Sequence, residues 1–319
     1  MKSKEYYSIQ SIIDIQQKEN ILVNTSIIAT NKELKYFSTD RIRADILAVG
    51  TSRVMQFRDF HFKKNVSFYN AGGVATDLKQ YIDFFNGLSY SPKIVILGLD
   101  QYFFNEDFAK ERQSDLVIDG SRDRRKLFTS AFKMTYSNVL MLRYVNSYPE
   151  NIGLNAVSFS DGFRADGSYF YNRILNHPEL ELTQKMVYPF EDTMSRIKKG
   201  NGRFEYSNNV YLKAIKQVEE ILQICDKKGI HVIAFLPPYA PLVNERMQAI
   251  GKYGYIQKIH ESLKIKFEHY GYEIYDFTNL SRSTNNQMYI DGFHGNEEVY
   301  GIILQNIKNE NSNLSIYIK

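Results

Sequence analysis

Apolar and polar positions follow two rhythms along this chain. Five short apolar runs stand out: Asp45 to Val49, closed by Gly50; Val66 to Tyr69; Lys93 to Gly98; Ile230 to Leu236, stopped by Pro237 and Pro238; and Tyr272 to Asp276. Runs this short, bounded by glycine or proline, predict strands buried on both faces. Between them the spacing lengthens to three and four. Residues 8–20 form an amphipathic helix candidate, followed by a polar stretch to Arg43. Leu78, Ile82 and Phe85 share a helix face with Thr76 as cap. A helix over 209–228 buries Leu212, Ile215, Val218, Leu222 and Cys225 and ends at Gly229. A long helical stretch covers 244–270, and a last helix from Asn296 carries Val299, Ile302, Ile303 and Ile307.

Strands alternating with helices imply a three-layer α/β/α domain with a mainly parallel sheet. About 110 residues separate Gly98 from the helix at 209, where a crossover needs about a dozen. The excess reads as an insertion, about 105–205, with a helical region near 123–147 and a turn-rich tract from Asp161 to Ser168, placed as a lid over the carboxyl edge of the sheet. The expected organisation is an N-terminal extension over 1–44, the α/β domain over 45–310 and a tail over 311–319.

Composition narrows the class. With 319 residues and 43% apolar content the chain supports a large core. Aromatics reach 14% with no tryptophan, which reads as a compositional bias more readily than as a tyrosine-lined groove for sugars. The net charge of +4 and the short basic clusters, Arg122 to Lys126 and Lys198-Lys199, argue against nucleic acid and for a solvated surface. A single cysteine, Cys225, excludes an internal disulfide and a cysteine zinc cluster. His61, His177, His260 and His269 have no partner at metal-ligand spacing, and His231 opens an apolar strand; no metal and no cofactor is expected, and phosphate-binding glycine loops are absent. No apolar stretch is long enough to span a membrane, and no leader pattern occurs in 1–44. The chain as it stands reads as cytoplasmic, or as extracytoplasmic with an anchor trimmed from its front.

The candidate chemistry sits at strand ends. Ser52 follows the first strand in Ala-Val-Gly-Thr-Ser, so its hydroxyl lies at the carboxyl edge, where open α/β sheets bind ligands. A serine needs a base, and Asp291-Gly-Phe-His294 offers one with its orienting carboxylate three residues before it. Asn70-Ala-Gly-Gly73 follows the second strand, where the Gly72 and Ser52 N–H groups can point at a developing oxyanion. Gly98-Leu-Asp100-Gln101 ends the third strand. Each motif alone is also an ordinary turn.

Taken in order, these blocks resemble the SGNH (GDSL-like) hydrolase superfamily, whose flavodoxin-like fold carries a serine block, an oxyanion-hole glycine, a Gly-x-Asn block and a final Asp-x-x-His. The resemblance covers about 45 to 310 and leaves the insertion unexplained. Gly-Thr-Ser52 stands for the family's Gly-Asp-Ser. Gly-Thr-Ser-Arg53, Leu-Pro-Pro238-Tyr and His294 leading to Tyr300-Gly301 lean toward the branch that O-acylates cell-surface polymers, the alginate O-acetylation and teichoic-acid D-alanylation proteins. The resemblance implies a Ser52–His294–Asp291 triad acting on an acylated small molecule or carbohydrate, as esterase or O-acyltransferase. It also implies Gly72, Asp100, Gln101 and Arg53 around the oxyanion and substrate, and membrane-associated partners in polysaccharide biosynthesis. The departure is Asp100 in place of the asparagine donor, since a carboxylate only accepts hydrogen bonds. Three alternatives follow: a protonated Asp100, an Asp100 turned away with Gln101 or a backbone N–H in its place, or an impaired hole on a non-catalytic carbohydrate-binding or scaffold protein.

Overall fold

A computed structural model describes residues 4, 7–25, 31–118, 148–176 and 181–319. The helical region expected near 123–147, the cluster Arg122 to Lys126 and His177 lie outside these residues.

The five apolar runs become five strands: β1 (Ile46–Val49), β2 (Phe68–Asn70), β3 (Ile94–Gly98), β4 (His231–Leu236) and β5 (Glu273–Asp276). They form one sheet in the order β2-β1-β3-β4-β5, with every pairing parallel. The register sets Ile46 beside Phe68 and Ile94, and Ile94 beside His231, so the carboxyl ends of the strands reach one edge together. The first three strands are buried throughout because helices flank the sheet. The molecule is α/β, arranged as three layers.

Helices Leu78–Gly87 and Leu212–Lys227 lie side by side, and Ile256–His269 packs on β5. Local chemistry moves several expected boundaries. Asp77, not Thr76, caps the first of these helices, accepting from the Gln80 N–H at 3.0 Å. Leu212 is 73% exposed rather than buried, because it opens its helix before the apolar stripe begins. The long helix expected over 244–270 is two, Pro241–Ile250 and Ile256–His269, divided at Gly251, whose φ of +69° breaks the hydrogen-bond ladder. The polar stretch before Arg43 contains a helix, Asn31–Ile42.

A second, smaller core joins parts distant in sequence. Ile12, Ile13, Val23 and Leu34 pack with Ile152, Phe163 and Met55. Val23 bridges both Ile152 and Phe163, and the Gln16 amide donates to the Phe163 carbonyl at 2.8 Å. Helices Ile9–Glu19 and Asn31–Ile42 are therefore packed into the fold against residues 152–163. The turn-rich tract forms a small antiparallel hairpin, Gly162–Phe163 with Tyr169–Phe170. The buried Lys35 Nζ, its pKa pushed down to about 7 chiefly by burial, ties this hairpin to the sheet by donating to the Asn70 carbonyl at 2.7 Å and to that of Gly167. No helix among the described residues is long and apolar enough to cross a membrane.

Candidate active site

The chain leaves β1 at Val49 and enters a single tight 3₁₀ turn, Ser52–Val54. Thr51 caps it: its Oγ1 accepts from the Arg53 N–H at 3.2 Å. Asn70 locks it from below, its amide donating to the carbonyls of Val54 (2.8 Å) and Phe57 (2.9 Å). The Ser52 hydroxyl is thus held by a short, doubly anchored turn at the carboxyl edge.

The partner loop comes from the far end of the chain. Asp291 Oδ1 accepts from the N–H groups of Phe293 (3.2 Å) and His294 (2.9 Å), which closes the loop on itself. Its other oxygen, Oδ2, lies 2.8 Å from His294 Nδ1, and His294 Nε2 lies 2.7 Å from Ser52 Oγ. Gly292 permits the fold of this loop with a φ of +92°; a β-carbon there would stand 2.8 Å from Val243 Cγ2 and 3.1 Å from Phe190. The helix Glu191–Lys199 of the inserted segment supports the loop through the Thr193 hydroxyl, which donates to the Asp291 carbonyl at 2.8 Å.

The electrostatics separate the members. Burial pushes the Asp291 carboxyl up, but the facing His294 and the two backbone N–H groups more than reverse this and hold it below its ordinary value. Asp291 is therefore the fixed negative charge that selects the His294 tautomer with its proton on Nδ1, leaving Nε2 to accept from Ser52. The Asp291 side chain is 6% exposed and that of His294 13%. The inserted hairpin adjoins this edge: Gln56 donates to the Tyr169 carbonyl at 2.6 Å, and the Tyr171 ring centroid lies 6.3 Å from that of His294.

The remaining residues expected at the site sit elsewhere. Arg53, Asp100 and Gln101 are sealed from solvent, at 1%, 1% and 0% exposure. Arg53 Nη1 meets Asp100 Oδ1 at 3.1 Å and Gln101 Oε1 at 2.8 Å. Its Nε donates to the Phe293 carbonyl at 2.9 Å, and its Nη2 to the carbonyls of Pro237 (3.0 Å) and Pro238 (2.7 Å). The second Asp100 oxygen accepts from the Thr51 hydroxyl at 2.6 Å and the Tyr102 hydroxyl at 2.9 Å. Burial opposes the Arg53 charge, but Asp100 holds the guanidinium above its ordinary value. The expectation that Arg53, Asp100 and Gln101 surround the oxyanion and substrate is corrected by these contacts: Asp100 has turned inward to neutralise Arg53. Gln101 does not replace the missing donor either, because its amide is committed to the Pro237 carbonyl (2.7 Å) and Thr278 Oγ1 (2.9 Å).

Gly72 needs a similar correction. Its N–H donates to Asn70 Oδ1 at 2.8 Å, and the Gly73 N–H goes to the Gly50 carbonyl at 2.9 Å. The Ser52 N–H has no acceptor among the described residues. Of the expected oxyanion donors, it alone is uncommitted. Among the other histidines, His61 is held neutral, its imidazole pushed down to about 4 chiefly by burial. No metal-ligating cluster occurs among the described residues.

Sequence reasoning missed the clamp. From its place in the turn after β1, the Arg53 side chain ties the loops after β3 and β4 to the Asp291–His294 loop. The signal was present: a charged residue in the short turn directly after a buried strand, with a lone aspartate at the end of the neighbouring strand. Thr193 gave no signal, since it lies in a polar helix far off in sequence.

No protein-family model matches this chain, and comparison with curated proteins finds no match.

Proposed function

We propose that the protein is a serine-dependent acyl-ester hydrolase or O-acyltransferase of SGNH type, acting on an acyl group carried by a carbohydrate or cell-surface polymer. The observation that carries this reading is the continuous hydrogen-bonded path from Ser52 Oγ through His294 to Asp291, at 2.7 and 2.8 Å, at the ligand-binding edge of a parallel sheet. The order of the blocks along the chain supports placing it in that superfamily.

In this mechanism Ser52 Oγ attacks the ester carbonyl carbon as its proton passes to His294 Nε2. Asp291 stabilises the imidazolium and does not itself take the proton. The tetrahedral oxyanion meets the Ser52 N–H. Collapse expels the alcohol, which receives the proton from His294, and leaves an acyl-enzyme. Water or a sugar hydroxyl then gives up its proton to His294, attacks the acyl carbon and restores Ser52. The first acceptor makes the protein an esterase and the second a transferase.

A second reading has its own support. Asp100 is sealed away and the Gly72 N–H is occupied, so the hole is poorer in donors than the family pattern implies. Each missing donor typically costs about 10²–10³ in rate. A protein that binds acylated carbohydrate with little turnover fits that deficit. Labelling with a fluorophosphonate probe separates the two. The catalytic reading expects covalent modification at Ser52, none in Ser52→Ala, and slow hydrolysis of a short-chain aryl ester that the same substitution abolishes. An unlabelled wild type, or equal hydrolysis by both proteins, discards it.

A further inference from the structure

A cavity of about 670 Å³ opens at the carboxyl end of β5, beside the break between helices Pro241–Ile250 and Ile256–His269. This volume falls within the range of small-molecule sites, roughly 300–1,000 Å³. Its walls carry the carboxamides of Asn244, Gln248 and Gln257, and none of the three has a hydrogen-bond partner among the described residues. Tyr253 closes one side. Its hydroxyl is spent on the carbonyls of Phe204 (3.0 Å) and Ile197 (3.2 Å), so the ring is fixed in the floor, 6% exposed, and leaves the carboxamides as the groups a ligand meets. The single charged side chain in the wall is the exposed carboxylate of Asp276, and no lysine, arginine or histidine lines the cavity.

We propose that this cavity binds an uncharged saccharide, as a second hold on the carbohydrate that Ser52 is proposed to act on. A carboxamide presents two N–H donors and an acceptor oxygen. That combination matches a hydroxyl group, which donates and accepts, at no cost in buried charge. The lone carboxylate repels uronate, phosphate and sulfate, so anionic polymers and nucleotides are poor ligands here. The cavity also communicates with the nucleophile turn: Thr278 in its wall accepts from Gln101, and Gln101 accepts from Arg53, the residue after Ser52. The proposal deepens the functional reading but does not need Ser52 to be reactive.

The test uses the full chain carrying Ser52→Ala, titrated calorimetrically with neutral trisaccharides (cellotriose, maltotriose and the N-acetylglucosamine trimer) and with the galacturonate trimer. At least one neutral trimer is expected to bind with Kd near or below about 1 mM, and the uronate about tenfold more weakly. Asn244→Leu combined with Gln257→Leu should weaken the neutral ligand about tenfold or more, and Asp276→Asn should narrow its advantage over the uronate. The proposal falls if no neutral trimer binds at about 10 mM, if the uronate binds as well as the best neutral sugar, or if the double variant binds unchanged. Fluorophosphonate labelling of the wild type is read separately. Labelling without sugar binding removes the cavity and keeps the nucleophile, and binding without labelling does the reverse.

Discussion

Two aspartates stand at the same edge of the sheet, each facing a cationic or potentially cationic partner, and they do opposite work. Asp291 faces His294, whose far nitrogen reaches Ser52 at 2.7 Å. Asp100 faces Arg53, with both side chains only 1% exposed. The difference lies in the partner. An imidazole gains and loses a proton near neutral pH, so a carboxylate behind it tunes a base. A guanidinium keeps its proton at any accessible pH, so a carboxylate behind it can only neutralise and position. Asp100 also accepts from Thr51, next to Ser52, while Arg53 donates to the Phe293 carbonyl, next to His294. The closed pair thus sets the distance between the two loops whose open pair carries the proposed chemistry.

That contrast can be broken at four points. The largest effect is expected from Asp291→Asn, which loses control of the His294 tautomer; fluorophosphonate labelling and ester hydrolysis should both fall by about 10⁴, with the fold retained by circular dichroism. Next is Asp100→Asn, which leaves the Arg53 charge buried beside an amide that also donates. It should cost about 3–5 kcal/mol in denaturant unfolding and raise no rate. A gain in esterase activity would instead return position 100 to the oxyanion and undo the comparison. Gly292→Ala should cost about 1–3 kcal/mol from its positive φ and its crowding against Val243, and slow labelling more than Gly271→Ala, a substitution at another positive-φ glycine with open space around it. The smallest effect is on acid stability. Because the folded Asp291 carboxyl is held below its ordinary value, its contribution is fully present above about pH 4 and is lost as pH falls through the lower folded value. Asp291→Asn should therefore flatten part of the acid limb of a stability–pH curve, and an unchanged limb would mean that His294 does not hold the carboxylate.

The sheet was legible because its strands are short apolar runs punctuated by Gly50, Gly98 and the two prolines, a local signal that survives without partners. The hydrogen-bonded set Ser52, His294 and Asp291 was legible for a different reason: Ser52 and the Asp291–His294 spacing each follow from chemistry that few other residues supply. What could not be read was direction. Asp100 sits at the expected position along the chain, but the inward rotation of its side chain is decided by Arg53, and that choice is made in three dimensions. The helix over Asn31–Ile42 was missed because its apolar positions answer to Phe163 and Met55 rather than to a continuous stripe of its own. The Gly251 break was likewise hidden, since glycine within a helical rhythm marks a stop only when the next segment turns away.

The small core that unites Ile12, Ile13, Val23 and Leu34 with Ile152 and Phe163 has a consequence for synthesis. Gln16 and its acceptor Phe163 are 147 positions apart. At roughly 5–20 residues per second, translation needs on the order of ten seconds to deliver the second after the first. Throughout that interval Ile12, Ile13 and Val23 have emerged with Leu34 and Met55 but without Ile152 and Phe163, while β1, β2 and β3 already have one another. The earlier-made segment is thus among the later ones to complete its packing, which leaves it open in the meantime to capture by chaperones or by other unfinished copies.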